Sequence, residues 1–178
     1  MWKKQDVRQL CMMAVLAALY AVMDYFSLGI GQTIKITFAG LPVLIAAICL
    51  GAGPGALVGL VGALISQLVR YGLGWMTPLW ILPAGLRGLA AGLLFAAFGK
   101  RKSLVWLLVP VTISSLLVTA ANTLITYLDS LVNHYFTPGL IVGALGFRIG
   151  SSVVTSAVYA VVLWPLLKAL HHIPALKV

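Results

Sequence analysis

The amino-acid sequence predicts an all-α integral membrane protein, a single domain over residues 1–178 that forms a bundle of six transmembrane helices. Hydrophobic residues make up 62% of the chain and charged residues only 8%, which is more apolar surface than a water-soluble domain of this length could bury. The apolar residues also fall into six segments, most of them near the roughly 20 residues that cross a bilayer core as a helix.

Turn-forming or basic stretches separate the six segments. The first segment ends at the Gly-rich polar stretch 27–37, the second at the GAGPG turn of 51–55, and the third at 71–78, which carries Gly and Pro. The fourth ends at the basic GKRKS stretch of 99–103, and the fifth at the polar stretch 129–139. The predicted spans are about 9–26, 38–52, 54–71, 80–98, 104–127 and 141–168.

The basic residues predict the orientation of this bundle, because cytoplasmic connections of membrane proteins are enriched in Lys and Arg. An even number of spans puts both termini on one side. That side would carry Lys3, Lys4, Arg8, Lys100, Arg101, Lys102, Lys168 and Lys177. We therefore expect both termini to be cytoplasmic. The same distribution explains the net charge of +9 better than a nucleic-acid partner would.

Four other basic residues fall in the outer half of the bundle or in the connections there. They are Arg87, Arg148, Arg70 and Lys35. A charge inside a bilayer costs at least ~2.5 kcal/mol, so an intramembrane arginine usually faces a cavity or pairs with an acid. The chain has only three acidic residues, too few to neutralise these cations. The sequence predicts a binding site for an anion here. The alternative is that Arg70 and Arg148 reach the lipid headgroups or backbone carbonyls.

Two stripes of polar residues at helical spacing accompany the arginines. The fifth span carries Ser115, Thr119, Asn122, Thr123 and Thr126, and the sixth carries Arg148, Ser151, Ser152, Thr155, Ser156 and Tyr159. Small hydroxyl residues at such spacing can also serve helix packing in membranes. Asn122, Thr126 and Ser151 lie toward the outer end, and we expect them to contact a ligand.

Aromatic residues gather at the same end, among them Trp75, Trp80 and Phe147. Trp and Tyr mark membrane interfaces in many proteins. Their flat faces could equally stack on a heterocyclic ligand whose carboxylate an arginine grips in bidentate fashion.

Enzymatic chemistry finds little support. The chain contains no glutamate, no H-E-x-x-H or G-x-S-x-G motif and no phosphate-binding loop. His134 falls in a predicted outer loop and His171 with His172 at the predicted cytoplasmic tail, too far apart to share a metal, and the two cysteines fall in apolar segments without metal-ligand spacing. We therefore expect neither an enzyme nor a metal or cofactor site.

The first span presents two overlapping faces of small residues. Ala14 and Ala18 are four residues apart, and so are Ala17 and Ala21. Another helix can approach closely at such a face, within this chain or in a partner.

Three stretches of the sequence resemble a known family. AVLAALYAVMDY, ITFAGLPVLIAAICLGAGPGALVGLVGAL and PAGLRGLAAGLLF are similar to the first four helices of the substrate-binding (S) components of energy-coupling factor (ECF) vitamin transporters, nearest to the folate-type branch. The resemblance implies a multi-pass protein of the prokaryotic plasma membrane that binds a vitamin in a pocket near the outer face. It also implies partners, a transmembrane coupling subunit and two ATPases that use ATP, with docking through Ala14 and Ala18 or through Ala17 and Ala21.

The resemblance suggests folate as the first ligand to consider. Many folate-type relatives carry an Asp in the third helix, where this chain has Ser66 and Gln67. Pantothenate, niacin, lipoate, cobalamin and a queuosine precursor therefore stay open. So do two other classes of function, a self-contained secondary transporter or channel and a structural membrane subunit.

Overall fold

The computed structural model describes residues 4–30, 34–98 and 104–170. Their elements in chain order are α1 (Lys4–Tyr25), β1 (Leu28–Ile30), β2 (Ile34–Ile36), α2 (Gly40–Cys49), α3 (Ala52–Tyr71), α4 (Thr77–Phe98), α5 (Leu104–Val132) and α6 (Ala144–Leu170). A π-helical turn, Gly139–Gly143, precedes α6. The predicted all-α membrane architecture is confirmed, and a two-stranded hairpin is added to it.

Five helices in the described ranges are long and apolar enough to cross a membrane. The membrane-spanning stretches are Val7–Tyr25, Ala52–Tyr71, Thr77–Phe98, Trp106–Val132 and Ile141–Lys168, the last of which begins in the π-helical turn before α6. The remaining helix, α2, has ten residues and spans only about 15 Å. It replaces the longer span that the sequence suggested over 38–52. The connection to α3 turns at Gly51, whose φ of 104° favours glycine.

The hairpin fills the first polar connection. Its strands pair antiparallel, with Leu28 opposite Ile36 and Gly29 opposite Lys35. The hairpin joins the end of α1 to the start of α2, and the same end of the bundle holds the end of α3 and the start of α4. We call this the hairpin end of the bundle.

Helix α2 lies at the centre of the bundle. It packs against α1, α3, α4 and α6, while α3, α4, α5 and α6 follow one another around it. Nearly all of its residues from Gly40 to Ala47 are buried. Leu44 of α2, Val111 of α5 and Leu163 of α6 meet in one apolar cluster. A second cluster joins Ala17 of α1 to Val43 of α2.

Helices α3 and α4 approach so closely that their contact requires glycine. A Cβ added at Gly59 would overlap the carbonyl of Ala84, and one added at Gly88 would overlap the backbone of Gly55. Small residues allow helix backbones to approach in this way in membranes. This contact fixes α4, and with it Arg87, against α3.

Candidate ligand-binding site

A cavity of about 900 Å³ lies at the hairpin end of the bundle. Residues of all six helices and of the connections between them line it, with α2 contributing only Gly40. Pockets for small molecules usually measure about 300–1,000 Å³, so the cavity is large enough for a ligand of vitamin size. Arg70, Arg87 and Arg148 all line it, which brings together three of the four cations singled out in the sequence.

Arg148 is the most deeply buried of these cations, with 8% of its surface exposed. Its Nη1 donates a hydrogen bond to Thr123 Oγ1 over 3.2 Å. Its Nε is buried and has no hydrogen-bond partner among the described residues. A buried charge without its full set of partners is costly, so this guanidinium is suited to an acceptor that enters the cavity.

Four buried side-chain polar atoms in the described part of the chain have no hydrogen-bond partner. They are Arg70 Nε, Ser115 Oγ, Arg148 Nε and Ser152 Oγ. Native proteins leave few such atoms, because each costs about 1–3 kcal/mol. All four belong to residues that line the same cavity. These four atoms without partners are therefore concentrated around one cavity.

Arg87 projects from α4 toward the start of α2. Its Nη1 donates to Tyr159 Oη over 3.4 Å, and its guanidinium carbon lies 5.5 Å from the centre of the Tyr159 ring. Tyr159 is almost fully buried and donates in turn to the carbonyl oxygen of Thr37 over 2.6 Å. A Cβ added at Gly40 would overlap the Arg87 guanidinium. Gly40 and Tyr159 together therefore determine where this charge lies.

Arg70 has a different environment. Its Nη2 donates to the carbonyl oxygens of Asp24 and Tyr25 and, over 3.0 Å, to Ser27 Oγ. Both carbonyls belong to the last turn of α1, where no backbone N–H of the helix is left to bind them. The positive charge of Arg70 at this C-terminal end is also stabilised by the helix dipole. Arg70 thus ties α1 to the end of α3, and its proposed ligand contact stays a prediction.

Asp24 is a lining residue that the sequence did not single out. It is 7% exposed, and its Oδ2 accepts a hydrogen bond from the equally buried Ser66. Asp24 and Ser66 are 42 residues apart, so no local pattern could reveal the pair.

The structure brings most of the other predicted contact residues to the cavity. Trp80, Asn122, Thr126 and Ser151 line it. The hydroxyls of Thr126 and Ser151 donate to backbone carbonyls of their own helices, over 2.8 Å to Asn122 and 3.0 Å to Arg148. The Asn122 amide group therefore offers the more available polar contact.

Two predicted aromatic contacts are not brought to the cavity lining. Trp75 lies in the connection before α4 and is 65% exposed, and Phe147 is 52% exposed. Phe147 precedes Arg148 by one residue, which turns its side chain by about 100° around α6. Both positions suit aromatic residues at a membrane interface. For Lys35 the structure gives only the strand position, and its side chain lies outside the description.

A cluster of hydrogen bonds borders the cavity where α5 ends. Tyr135 Oη donates to the Asp129 carboxylate, and Asn133 Nδ2 donates to Asp129 Oδ1 over 2.9 Å. Tyr135 and Asp129 both line the cavity. Partial burial and the hydrogen bond to Asp129 raise the pKa of Tyr135 to about 12, so the phenol stays protonated as a donor at neutral pH.

The two alanine faces of α1 have different surroundings. Ala14 and Ala18 are exposed on the outside of the bundle. Ala17 is 3% exposed and packs in the apolar cluster with α2, and Ala21 is half-buried. The first pair is therefore accessible to another helix, whereas Ala17 already serves the fold.

Known proteins resemble this chain in sequence and in fold. The sequence matches the family described as "ECF transporter, substrate-specific component" over residues 8–173. Among curated protein sequences, none matches this chain. Two solved structures share the fold. One is described as the S component of a bacterial ECF transporter, with a TM-score of 0.69, 21% identity, and coverage of 92% of this chain and 97% of the other. The second is the S-component for biotin from an ECF-type ABC transporter, with a TM-score of 0.62, 17% identity, and coverage of 94% and 95%.

The match in sequence extends over nearly the whole chain, and the bundle with its short second helix and polar cavity has the fold of these structures. The chain therefore belongs to the family of membrane-embedded substrate-specific components of ECF transporters.

Proposed function

We propose that this protein captures a small anionic or heterocyclic vitamin in the cavity at the hairpin end of the bundle. One observation carries the proposal. The four buried polar atoms that lack partners within the described residues all lie around this one cavity, and two of them belong to arginines. A ligand carboxylate would supply the acceptors that these donors lack.

Arg148 and Arg87 are the residues proposed to bind the anionic group. Arginine presents a planar fork of donors that matches the two oxygens of a carboxylate. Arg148 has an unpartnered Nε, and Arg87 is held between Gly40 and Tyr159 with its charge at the cavity wall. Trp80 offers a flat face for the ligand ring, and Asn122 offers a neutral donor and acceptor.

Folate is the first ligand to test. It combines carboxylates with a flat heterocycle, and the cavity volume of about 900 Å³ leaves room for a molecule of that size. One of the similar solved structures is described as an S-component for biotin, which supports vitamins as the ligand class. Pantothenate, niacin, lipoate, cobalamin and a queuosine precursor form the comparison panel.

Delivery of the vitamin is proposed to require partner subunits, a transmembrane coupling subunit and two ATPases that hydrolyse ATP outside this chain. Family membership favours this over a self-contained transporter or a structural subunit. The exposed Ala14 and Ala18 face of α1 is the proposed docking surface, because small residues let a partner helix approach closely. The proposed location is the prokaryotic plasma membrane, with both termini in the cytoplasm.

Titration calorimetry on the purified protein with the vitamin panel tests this function. We expect one anionic vitamin to bind tightly, and Arg87→Met to lower its affinity more than tenfold with nearly unchanged expression, because Met removes the guanidinium and keeps an unbranched apolar stem. Arg8→Met is the matched control, since Arg8 is exposed at the start of α1, outside the residues that line the cavity. Loss of expression with retained affinity would show that Arg87 is structural. Failure of every anionic vitamin to bind would contradict the proposed function.

A further inference from the structure

A second cavity, of about 500 Å³, lies between α5 and α6. Its lining extends from Leu116 to Tyr127 on α5, and from Ile141 in the π-helical turn to Ile149 on α6. Most of these side chains are exposed, Tyr127 and Ile149 among them, so the cavity opens to the outside of the bundle. We call it the α5–α6 groove.

The groove lies within the membrane-spanning part of the chain. Its two walls belong to the stretches Trp106–Val132 and Ile141–Lys168. From Leu116 to Tyr127 it extends about 16 Å along α5, and Tyr127 is at the end nearer the hairpin end of the bundle. A tyrosine there suits the membrane interface, where its ring is in an apolar medium and its hydroxyl reaches water. The rest of the groove is therefore at the depth of the acyl chains.

The polar atoms of the groove are used within the protein. Thr119 Oγ1 donates to the carbonyl of Ser115 over 3.0 Å. Thr123 Oγ1 donates to the carbonyl of Thr119 over 2.8 Å and accepts from Arg148 Nη1 over 3.2 Å. None of the residues that line the groove is charged. An ordered water needs about two to four polar partners, so neither water nor an anionic group is suited to this site.

We infer that the α5–α6 groove binds one acyl chain of a membrane phospholipid. An empty groove would leave the side chains of Leu124, Leu145 and Ile149 without van der Waals partners on one side, and an alkyl chain restores those contacts. The surrounding lipid is equally apolar, so the preference for this position comes from the shape of the groove and its packing, not from a hydrophobic driving force. The site is separate from the proposed vitamin site and does not depend on it.

The groove and the cavity at the hairpin end share a wall. Thr119 lines both of them, and Thr123 lines the groove while its hydroxyl accepts from Arg148, which lines the cavity. A chain that packs against the two threonines from the lipid side supports the contact between α5 and α6. A ligand that binds only the folded state raises its stability, so phospholipid in the groove is expected to raise Tm.

Photo-cross-linking in vesicles tests the site directly. The full-length protein is reconstituted into phosphatidylcholine vesicles that contain some phosphatidylcholine with a photoreactive diazirine on one acyl chain. After illumination, peptide mapping should find the label concentrated on residues 116–127 and 141–149, above its level on the other lipid-facing stretches. Ala120→Phe places a ring in the groove and should remove most of this label, because Ala120 is an exposed lining residue.

Two further variants complete the experiment. Leu145→Trp fills the groove from α6, so the test does not rest on the folding of one variant. Ala157→Phe is the matched control, since Ala157 is exposed on α6 and lines neither the groove nor the cavity. Added phosphatidylcholine should raise the Tm of the wild type and of this control by about 2–4 °C in detergent, and should raise that of the two filled variants less.

Three results would overturn the inference. Label spread evenly over all lipid-facing helices, or label on the groove that persists in both filled variants, would mean that the groove holds no particular lipid chain. Loss of the label when a vitamin of the panel saturates the protein would mean that the groove belongs to the vitamin site. Failure of every vitamin to bind would contradict the proposed function and leave the lipid site unaffected, because the label is measured without vitamin.

Discussion

Replacing Arg148 with Met distinguishes a ligand-binding arginine from a structural one. The change removes the guanidinium and keeps an unbranched apolar stem in the same space. In the ligand-free protein it eliminates the hydrogen bond from Nη1 to Thr123, and it also removes a buried Nε that has no partner among the described residues. Loss of the hydrogen bond destabilises the folded protein, and removal of the buried unpartnered Nε stabilises it, each by about 1–3 kcal/mol. We therefore expect the free energy of unfolding to stay within about 1 kcal/mol of wild type, or to rise.

The ligand-bound state should respond very differently to Arg148→Met. A hydrogen bond to a charged group contributes about 1.5–3 kcal/mol, so losing one such contact lowers affinity about 10- to 150-fold. Calorimetry measures the affinity, and melting with and without vitamin measures the stability. For a chain of this size, 1 kcal/mol corresponds to about 2–4 °C in Tm. A fall of ligand-free Tm by more than about 5 °C with unchanged affinity would refute the reasoning.

Three further variants test separate parts of the account. Arg70→Met should lower Tm by about 4–8 °C, because Arg70 holds the last carbonyls of α1, and unchanged Tm would contradict that role. Gly40→Ala should displace both the Arg87 guanidinium and the buried Tyr159 ring, because the added Cβ would overlap both, so it should weaken vitamin binding more than about tenfold and also lower Tm, and unchanged affinity would contradict the proposed role of Arg87. Replacing Ala14 and Ala18 together with Trp should reduce co-purification with the ATPases while vitamin affinity stays unchanged, and intact co-purification would rule out this docking face.

Matched controls accompany two of these variants. Gly53→Ala adds the same methyl group on α3, where nothing lies within 4 Å of the added atom, and we expect wild-type binding from it. Ala17→Trp should instead destabilise the fold, because Ala17 is buried against α2 in a tightly packed cluster. The contrast between Ala17 and the outward pair separates loss of folding from loss of docking.

Helical periodicity made much of the cavity predictable. On α6 the residues that line it follow the predicted stripe, from Arg148 through Ser151, Ser152 and Thr155 to Tyr159. Spacing along a helix fixes which residues share a face, so the sequence alone identifies them. Ser156 is the exception in that stripe: it is buried, its hydroxyl donates to the carbonyl of Ser152, and it is not among the residues that line the cavity.

Contacts between helices were not predictable from spacing. The Asp24–Ser66 pair and the bonds from Arg70 to the end of α1 join residues more than 40 positions apart. The hairpin escaped prediction because its strands have three residues each, too short for a clear alternation. The aromatic residues misled for a different reason. Their clustering at one end of the bundle indicates a membrane interface as readily as a ligand site, and it does not give the direction of Trp75 or Phe147.

Native mass spectrometry of the protein purified from its own membrane tests the central claim most directly. If the cavity binds an anionic vitamin through Arg148, the wild type should carry about one equivalent of a small anion and the Arg148→Met variant should carry clearly less. A wild-type protein without bound ligand, whose Tm no vitamin of the panel changes, would contradict the account.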